Sequence, residues 1–143
     1  MFPKPYPRDV LKDWTIVAVD DDPGSLGIVS IVLQHYSATL FTATNGQQGL
    51  DLTLKHRPDV VITDLSMPGM DGWTMMDAIH AAPEIARTPV VALTAQAMPQ
   101  HKEQAIARGF TRYITKPLMP STFIHDLVSL LADVPELAQK LRL

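Results

Sequence analysis

The chain has 143 residues, 46% apolar and 19% charged, with 12 Lys and Arg against 15 Asp and Glu for a formal charge of −3. That is enough for one globular domain with a real core and too short for two ordinary ones. The charge balance and the lack of any Lys/Arg run argue against a nucleic-acid partner, and the absence of cysteine excludes disulfides, thiolate metal sites and a Cys nucleophile.

No apolar run approaches the roughly 18 residues that cross a membrane. The start, Met1-Phe2-Pro3-Lys4-Pro5-Tyr6-Pro7, is too polar and proline-broken for a signal peptide, so a cytoplasmic location with no membrane partner is expected. Residues 1–13 read as a proline-rich leader. Pro3, Pro5 and Pro7 favour an extended, loosely packed arm, and the sequence does not say whether Val10, Leu11 and Trp14 dock.

A single domain is expected over 14–133. Ile16-Val17-Ala18-Val19 is a short continuous apolar run, as a buried parallel strand requires. It ends in Asp20-Asp21-Asp22. Asp22 followed by Pro23 is a helix N-cap with Pro at the first helical position, and Leu26, Val29, Leu33 and Tyr36 share the face of that helix. A weaker strand from Thr39 to Ala43 follows, and Asn45-Gly46 opens a second helix reaching about His56.

Val60-Val61-Ile62 is the third strand, with Asp64 at its C-terminal end. The loop through Met67-Pro68-Gly69-Met70-Asp71-Gly72 leads to a helix carrying Trp73, Met76 and Ile79. There Asp71 reads as a turn residue and Gly72 as the source of an unusual backbone angle. A fourth strand runs from Pro89 to Leu93 and ends at Thr94. A helix from Pro99 to Arg108 has Gly109 as its left-handed stop. Tyr113-Ile114-Thr115 is the fifth strand, ending at Lys116-Pro117. The last helix starts near Pro120 and buries Phe123, Ile124, Leu127, Leu130 and Leu131. A short tail, 134–143, has room for one or two further helical turns. Five strands alternating with five helices predict an α/β domain whose parallel sheet is covered on both faces.

Asp20, Asp21, Asp64, Thr94 and Lys116 all fall at C-terminal strand ends, where an open doubly wound sheet binds its ligands. Three carboxylates in one crevice repel one another and raise each other's proton affinity. A divalent cation and a lysine remove that conflict, and oxygen ligands without His or Cys select a hard ion, Mg²⁺. A carboxylate beside Mg²⁺ and Lys is a nucleophile toward phosphorus, with the Thr94 hydroxyl placed to hydrogen-bond the attached phosphoryl group.

The ordered set Ile16-Val17-Ala18-Val19-Asp20-Asp21-Asp22, Val60 to Gly72, Val90-Val91-Ala92-Leu93-Thr94-Ala95 and Tyr113-Ile114-Thr115-Lys116-Pro117 resembles the receiver domain of two-component response regulators. The resemblance covers roughly Thr15 to Leu131. It implies the flavodoxin-like fold of the chemotaxis response regulator, with strand order 2-1-3-4-5. It implies that Asp64 is phosphorylated, that Asp21 binds the metal directly with Asp20 as its partner, and that the Ser66 carbonyl is the third protein ligand. It makes Thr94 the switch hydroxyl, Lys116 the phosphoryl-pairing lysine, Tyr113 the aromatic that moves with Thr94, and the bond before Pro117 cis. The phosphoryl group would come from a sensor histidine kinase or a histidine phosphotransfer protein. Self-catalysed hydrolysis would reset it, and the output would be a downstream protein target or a self-dimer. The chain would be no enzyme beyond that autocatalysis.

Several positions depart from the commonest family pattern. Phe110 and Arg112 alter the approach to the fifth strand and with it the surface of the fourth helix, fifth strand and fifth helix. Gly24 and Gly27 are unusual inside the first helix, where glycine costs about 1 kcal/mol relative to Ala. Ser66 and Gln96, polar and uncharged, flank the site two residues after Asp64 and Thr94.

Plainer readings weigh against single residues. An EF-hand reading of Asp20, Asp22 and Gly24 fails because Gly24 stands at a ligand position and Ile31 closes the loop where Glu is needed. His35, His56, His80, His101 and His125 have no metal-ligand spacing and read as surface residues, and Met67, Met70, Met75 and Met76 as loop and core packing. A phosphatase of the haloacid dehalogenase type normally carries its nucleophile in Asp-x-Asp on the first strand, whereas Asp64 sits on the third and has Ser66, not Asp, two residues later. A degenerate receiver serving only as a docking module is the remaining alternative, and the full set of acids, Thr94 and Lys116 argues against it.

Overall fold

In a computed structural model, residues 6–95 and 99–143 are described, without the side chains of 99–101. Pro3, Pro5, Gln96 and His101, all singled out above, lie outside what is described.

The strands are β1 (Thr15–Val19), β2 (Thr39–Ala43), β3 (Val60–Asp64), β4 (Val90–Thr94) and β5 (Arg112–Thr115). The helices are α1 (Pro23–His35), α2 (Gly46–His56), α3 (Gly72–Ala81), α4 (Pro99–Ala107), α5 (Pro120–Ala132) and a one-turn α6 (Pro135–Ala138) in the tail. All strand pairs are parallel, in the order β2-β1-β3-β4-β5. This is the doubly wound, flavodoxin-like arrangement that the alternation of elements and the family resemblance together predict.

The near-continuous apolar strands follow from two covered faces. Ile16, Ala18, Val60, Ile62, Val91 and Leu93 point into the layer filled by α1 and α5. Val17, Val19, Val61, Val90 and Ala92 point into the layer of Met75, Met76, Ile79, Ile85 and Phe110. The local signals act where the sequence placed them. Asp22 caps α1 by accepting from the Gly24 amide at 3.1 Å, and Asn45 caps α2 through the Gln48 amide at 2.9 Å. Gly109 adopts φ +103 two residues after α4.

Three expectations are corrected. The positive backbone angle in the β3–α3 loop belongs to Gly69, at φ +71, not to Gly72. Asp71 is the N-cap of α3, accepting from the Thr74 amide at 2.9 Å. Phe110 is buried edge-on to Trp73, with centroids 5.5 Å apart, so of the two unusual residues before β5 it is Arg112 that reaches the surface.

The loosely packed leader is corrected from residue 6 onward. Val10, Leu11 and Trp14 are fully buried in the α1/α5 layer. The Leu11 amide donates to the Tyr36 carbonyl at 3.1 Å, and the Trp14 indole N–H donates to the Lys140 carbonyl at 3.2 Å. Arg142 closes the contact from the other end of the chain. Its amide donates to the Val10 carbonyl at 3.1 Å and its guanidinium meets Asp13 at 2.9 Å. Lys140 pairs with Asp59 at 3.1 Å, and Asp59 also accepts from the Thr15 amide at 2.7 Å. The two terminal segments therefore clasp each other at the N-terminal edge of the sheet, opposite the strand ends that carry the acids.

Candidate functional site

Strand register brings the acids together. Val19 lies beside Thr63, so Asp20, one residue on, comes level with Asp64. Asp64 pairs with Leu93, and Thr94 with Thr115, which sets Thr94 and Lys116 one step further round the same rim. The backbone ladder continues into the site, with the Asp20 amide donating to the Ala43 carbonyl and the Lys116 amide to the Thr94 carbonyl.

One oxygen from each of Asp20, Asp21 and Asp64 lies within 4.8 Å of the others. Asp20 is 1% exposed, Asp64 is buried and Asp21 faces solvent. The Lys116 ammonium stands 3.0 Å from Asp20 Oδ2 and 3.4 Å from Asp64 Oδ2. Asp20 Oδ1 accepts from the Asp22 amide at 2.9 Å. Asp20 Oδ2 is buried, makes no hydrogen bond of good geometry, and has the Lys116 charge as its counterpart. Asp64 Oδ1 accepts a long 3.4 Å contact from the Ser66 amide. Thr94 is buried at the rim, Tyr113 is half-buried on β5, and the Lys116-Pro117 bond is cis.

The electrostatics are those of an overcrowded anion site. Burial, joined by the Asp20 charge, pushes the Asp64 carboxyl above its ordinary value against the opposing pull of Lys116. Burial alone would pull Lys116 down, but its contact with Asp20 and the charges of Asp64 and Asp20 outweigh that and hold the ammonium firmly charged. Asp22 is held low by the Ser25 hydroxyl and the Gly24 amide, as befits a cap facing outward from the cluster. An all-oxygen donor set with one under-coordinated buried oxygen fits a hard divalent cation.

Sequence reasoning missed what Gly72 does. A Cβ there would lie 2.3 Å from the Asp64 carbonyl oxygen and 3.0 Å from Leu65 Cα, both rigid backbone. Gly72 lets the start of α3 press directly under the end of β3 that carries Asp64, and its amide donates to the Leu65 carbonyl at 3.1 Å. The Met-Pro-Gly-Met-Asp-Gly run was the available signal. Gly72→Ala is expected to cost about 2–3 kcal/mol, the upper range for overpacking, and to weaken divalent-cation binding, measured by urea unfolding with and without Mg²⁺. A variant with wild-type stability would mean that the β3–α3 junction yields easily.

A sequence model of the response regulator receiver domain matches residues 16–128. The chain belongs to this family. A 14.6 kDa protein of Leptolyngbya boryana is 32% identical over 80% of this chain and 87% of its own length. The signal transduction histidine-protein kinase BarA of Escherichia coli is 33% identical over 80% of this chain, which spans only 12% of that kinase. Among solved structures, the chemotaxis response regulator CheY4 of Vibrio cholerae superposes with a TM-score of 0.77 at 32% identity, over 82% of this chain and 98% of that one. This is a receiver domain of the two-component type, a signalling module, and its acidic cluster is compatible with Mg²⁺ and a phosphoaspartate. Among the described residues, no helix is long and apolar enough to cross a membrane.

Proposed function

We propose that this receiver domain is phosphorylated on Asp64 by a phosphohistidine donor, a sensor histidine kinase or a histidine phosphotransfer protein, in the cytoplasm. The observation that carries this is the convergence of Asp20, Asp21 and Asp64 within 4.8 Å, with Lys116 bridging Asp20 and Asp64. Asp20, Asp21, Asp64 and the Ser66 carbonyl would hold Mg²⁺, which when bound supplies positive charge to the transferring phosphoryl oxygens.

This chain's own residues then have separate tasks. An Asp64 carboxylate oxygen forms the new P–O bond as the P–N bond to the donor histidine breaks. Lys116 neutralises a phosphoryl oxygen from the β5 side, having lost none of its charge to burial. The Thr94 hydroxyl hydrogen-bonds the attached group, and Tyr113 follows Thr94, which changes the surface around α4 and β5. Access is from the α1 side. A cleft of about 550 Å³ beside Lys116 is lined by Asp22, Gly24, Ile28, Ala95, Pro117 and Leu118. Among the described residues, nothing beyond the adjoining backbone of α1 itself lies within 4 Å of where a Gly27 Cβ would stand, so internal packing does not require that glycine, and a donor helix can approach α1 closely there. Loss of the phosphoryl group is self-catalysed, and the output is a downstream protein or a second copy.

Beryllium fluoride with Mg²⁺, an inert mimic of the phosphoryl group, tests the reading. It is expected to raise the melting temperature of the wild type in proportion to the logarithm of ligand concentration, and to leave Asp64→Ala unchanged. No shift in the wild type would favour the docking-module alternative.

A further inference from the structure

Helix α4 is held differently from its neighbours. Among its described side chains only Ala105 is buried, and Ile106 is 48% exposed. Two cations over aromatic rings add to that hold. The Lys102 ammonium lies 4.9 Å from the centroid of the Tyr113 ring on β5. Just past the helix, the Arg108 guanidinium lies 5.2 Å from the Trp73 ring on α3.

The two holds are unequal. Arg108 also donates to Asp77 Oδ2 at 2.7 Å and to the Trp73 carbonyl at 3.4 Å. Behind it, Gly109 is in the left-handed region with the His80 ring packed against it, and Phe110 is buried on Trp73. That end has the larger set of contacts. Among the described residues, the Lys102 ammonium meets the ring face of a half-buried tyrosine, and that contact is lost whenever the ring turns away.

We infer that Lys102 is a positioning residue of the switch: its ammonium, seated on the Tyr113 ring, holds the unphosphorylated arrangement of α4 and β5, while Arg108 on Trp73 and Asp77 stays as the pivot. The inference rests on the proposed phosphorylation of Asp64 and on Tyr113 responding to it. A contact present in only one of two states shifts their balance by its own strength. By linkage, removing it tightens binding of whatever favours the other state by the same factor, here about two- to five-fold for an exposed cation–ring contact.

The test uses the full chain with 3-fluorotyrosine at Tyr6, Tyr36 and Tyr113, the Tyr113 signal being assigned with Tyr113→Phe. Fluorine NMR and beryllium fluoride titration in Mg²⁺ are compared for the wild type, Lys102→Met and Lys102→Arg. Lys102→Met is expected to move the Tyr113 signal part-way toward its mimic-bound position before any mimic is added, and to bind the mimic about two- to five-fold more tightly. Lys102→Arg restores the wild-type values, and Lys102→Met in a Tyr113→Leu background changes nothing further. Equal tightening in that background would reduce the effect to the field of a lost charge and overturn the inference. So would a wild type whose Tyr113 signal moves with the mimic while Lys102→Met matches it throughout. A wild type that fails to bind the mimic overturns the phosphorylation reading, and the inference with it.

Discussion

Trp14→Ala is expected to destabilise the domain by about 4 kcal/mol, the scale of removing a fully buried aromatic side chain. Trp14 is 0% exposed and packs with Val10, Leu11, Leu137 and the α1/α5 layer. Its backbone carbonyl accepts from the Thr39 amide at 2.8 Å, and its indole N–H satisfies the Lys140 carbonyl at 3.2 Å. The substitution opens a cavity, leaves that carbonyl without its donor, and loosens the clasp between the terminal segments. Denaturant unfolding followed by circular dichroism measures the loss. Trp14→Phe, which keeps most of the volume, is expected to lose less than half as much. A cost below about 1 kcal/mol for Trp14→Ala, no more than that of an average point mutation, would mean that the clasp contributes little. The clasp lies largely outside the matched family region of residues 16–128, so the stability of this chain draws on parts that the family pattern does not contain.

The second large effect is at Lys116. Lys116→Met leaves Asp20 and Asp64, both buried, without their shared cation, and breaking a buried pair from one side costs about 3–5 kcal/mol. In Mg²⁺-free buffer at neutral pH the variant is expected to lose stability on that order. The pH dependence has a definite sign. Asp64 is already held above its ordinary value of 3.8 by burial and the Asp20 charge, and losing Lys116 pushes it further up. Between the ordinary value and the raised folded value, the folded state binds more protons than the unfolded one. Stability therefore rises as pH falls through that window, and the deficit of Lys116→Met shrinks with it. Mg²⁺ is expected to rescue the variant more than it stabilises the wild type, because one positive charge no longer competes with the ion. Thermal melts across pH, with and without Mg²⁺, measure both trends. A deficit that grows on acidification would place the loss in packing rather than in charge.

Much of this was legible in the sequence because local and long-range signals agree. Apolar runs such as Val60-Val61-Ile62 can be nothing but doubly covered strands when carboxylates, caps and glycines punctuate them at these spacings. Parallel strands with short connections force their C-terminal ends to one rim, so Asp20, Asp64, Thr94 and Lys116 could be brought together without coordinates. What stayed hidden depends on partners distant in sequence or on close approach. Trp14 meets Lys140 across 126 positions, and no periodicity in residues 6–14 encodes that contact. Gly72 has ordinary backbone angles, and its requirement comes from the Asp64 carbonyl pressed against it. Phe110 looked like a surface change because its neighbour Arg112 is one, yet the turn at Gly109 sends it inward onto Trp73.

The central claim is that Asp64 carries the phosphoryl group with the help of a divalent cation. The most direct measurement is the intact mass of the protein after incubation with acetyl phosphate, with Mg²⁺ or with EDTA, for the wild type and Asp64→Ala. The account predicts one phosphoryl adduct, formed only in the wild type and only with Mg²⁺, and lost on standing. No adduct in the wild type, or an adduct that persists in Asp64→Ala, would contradict it.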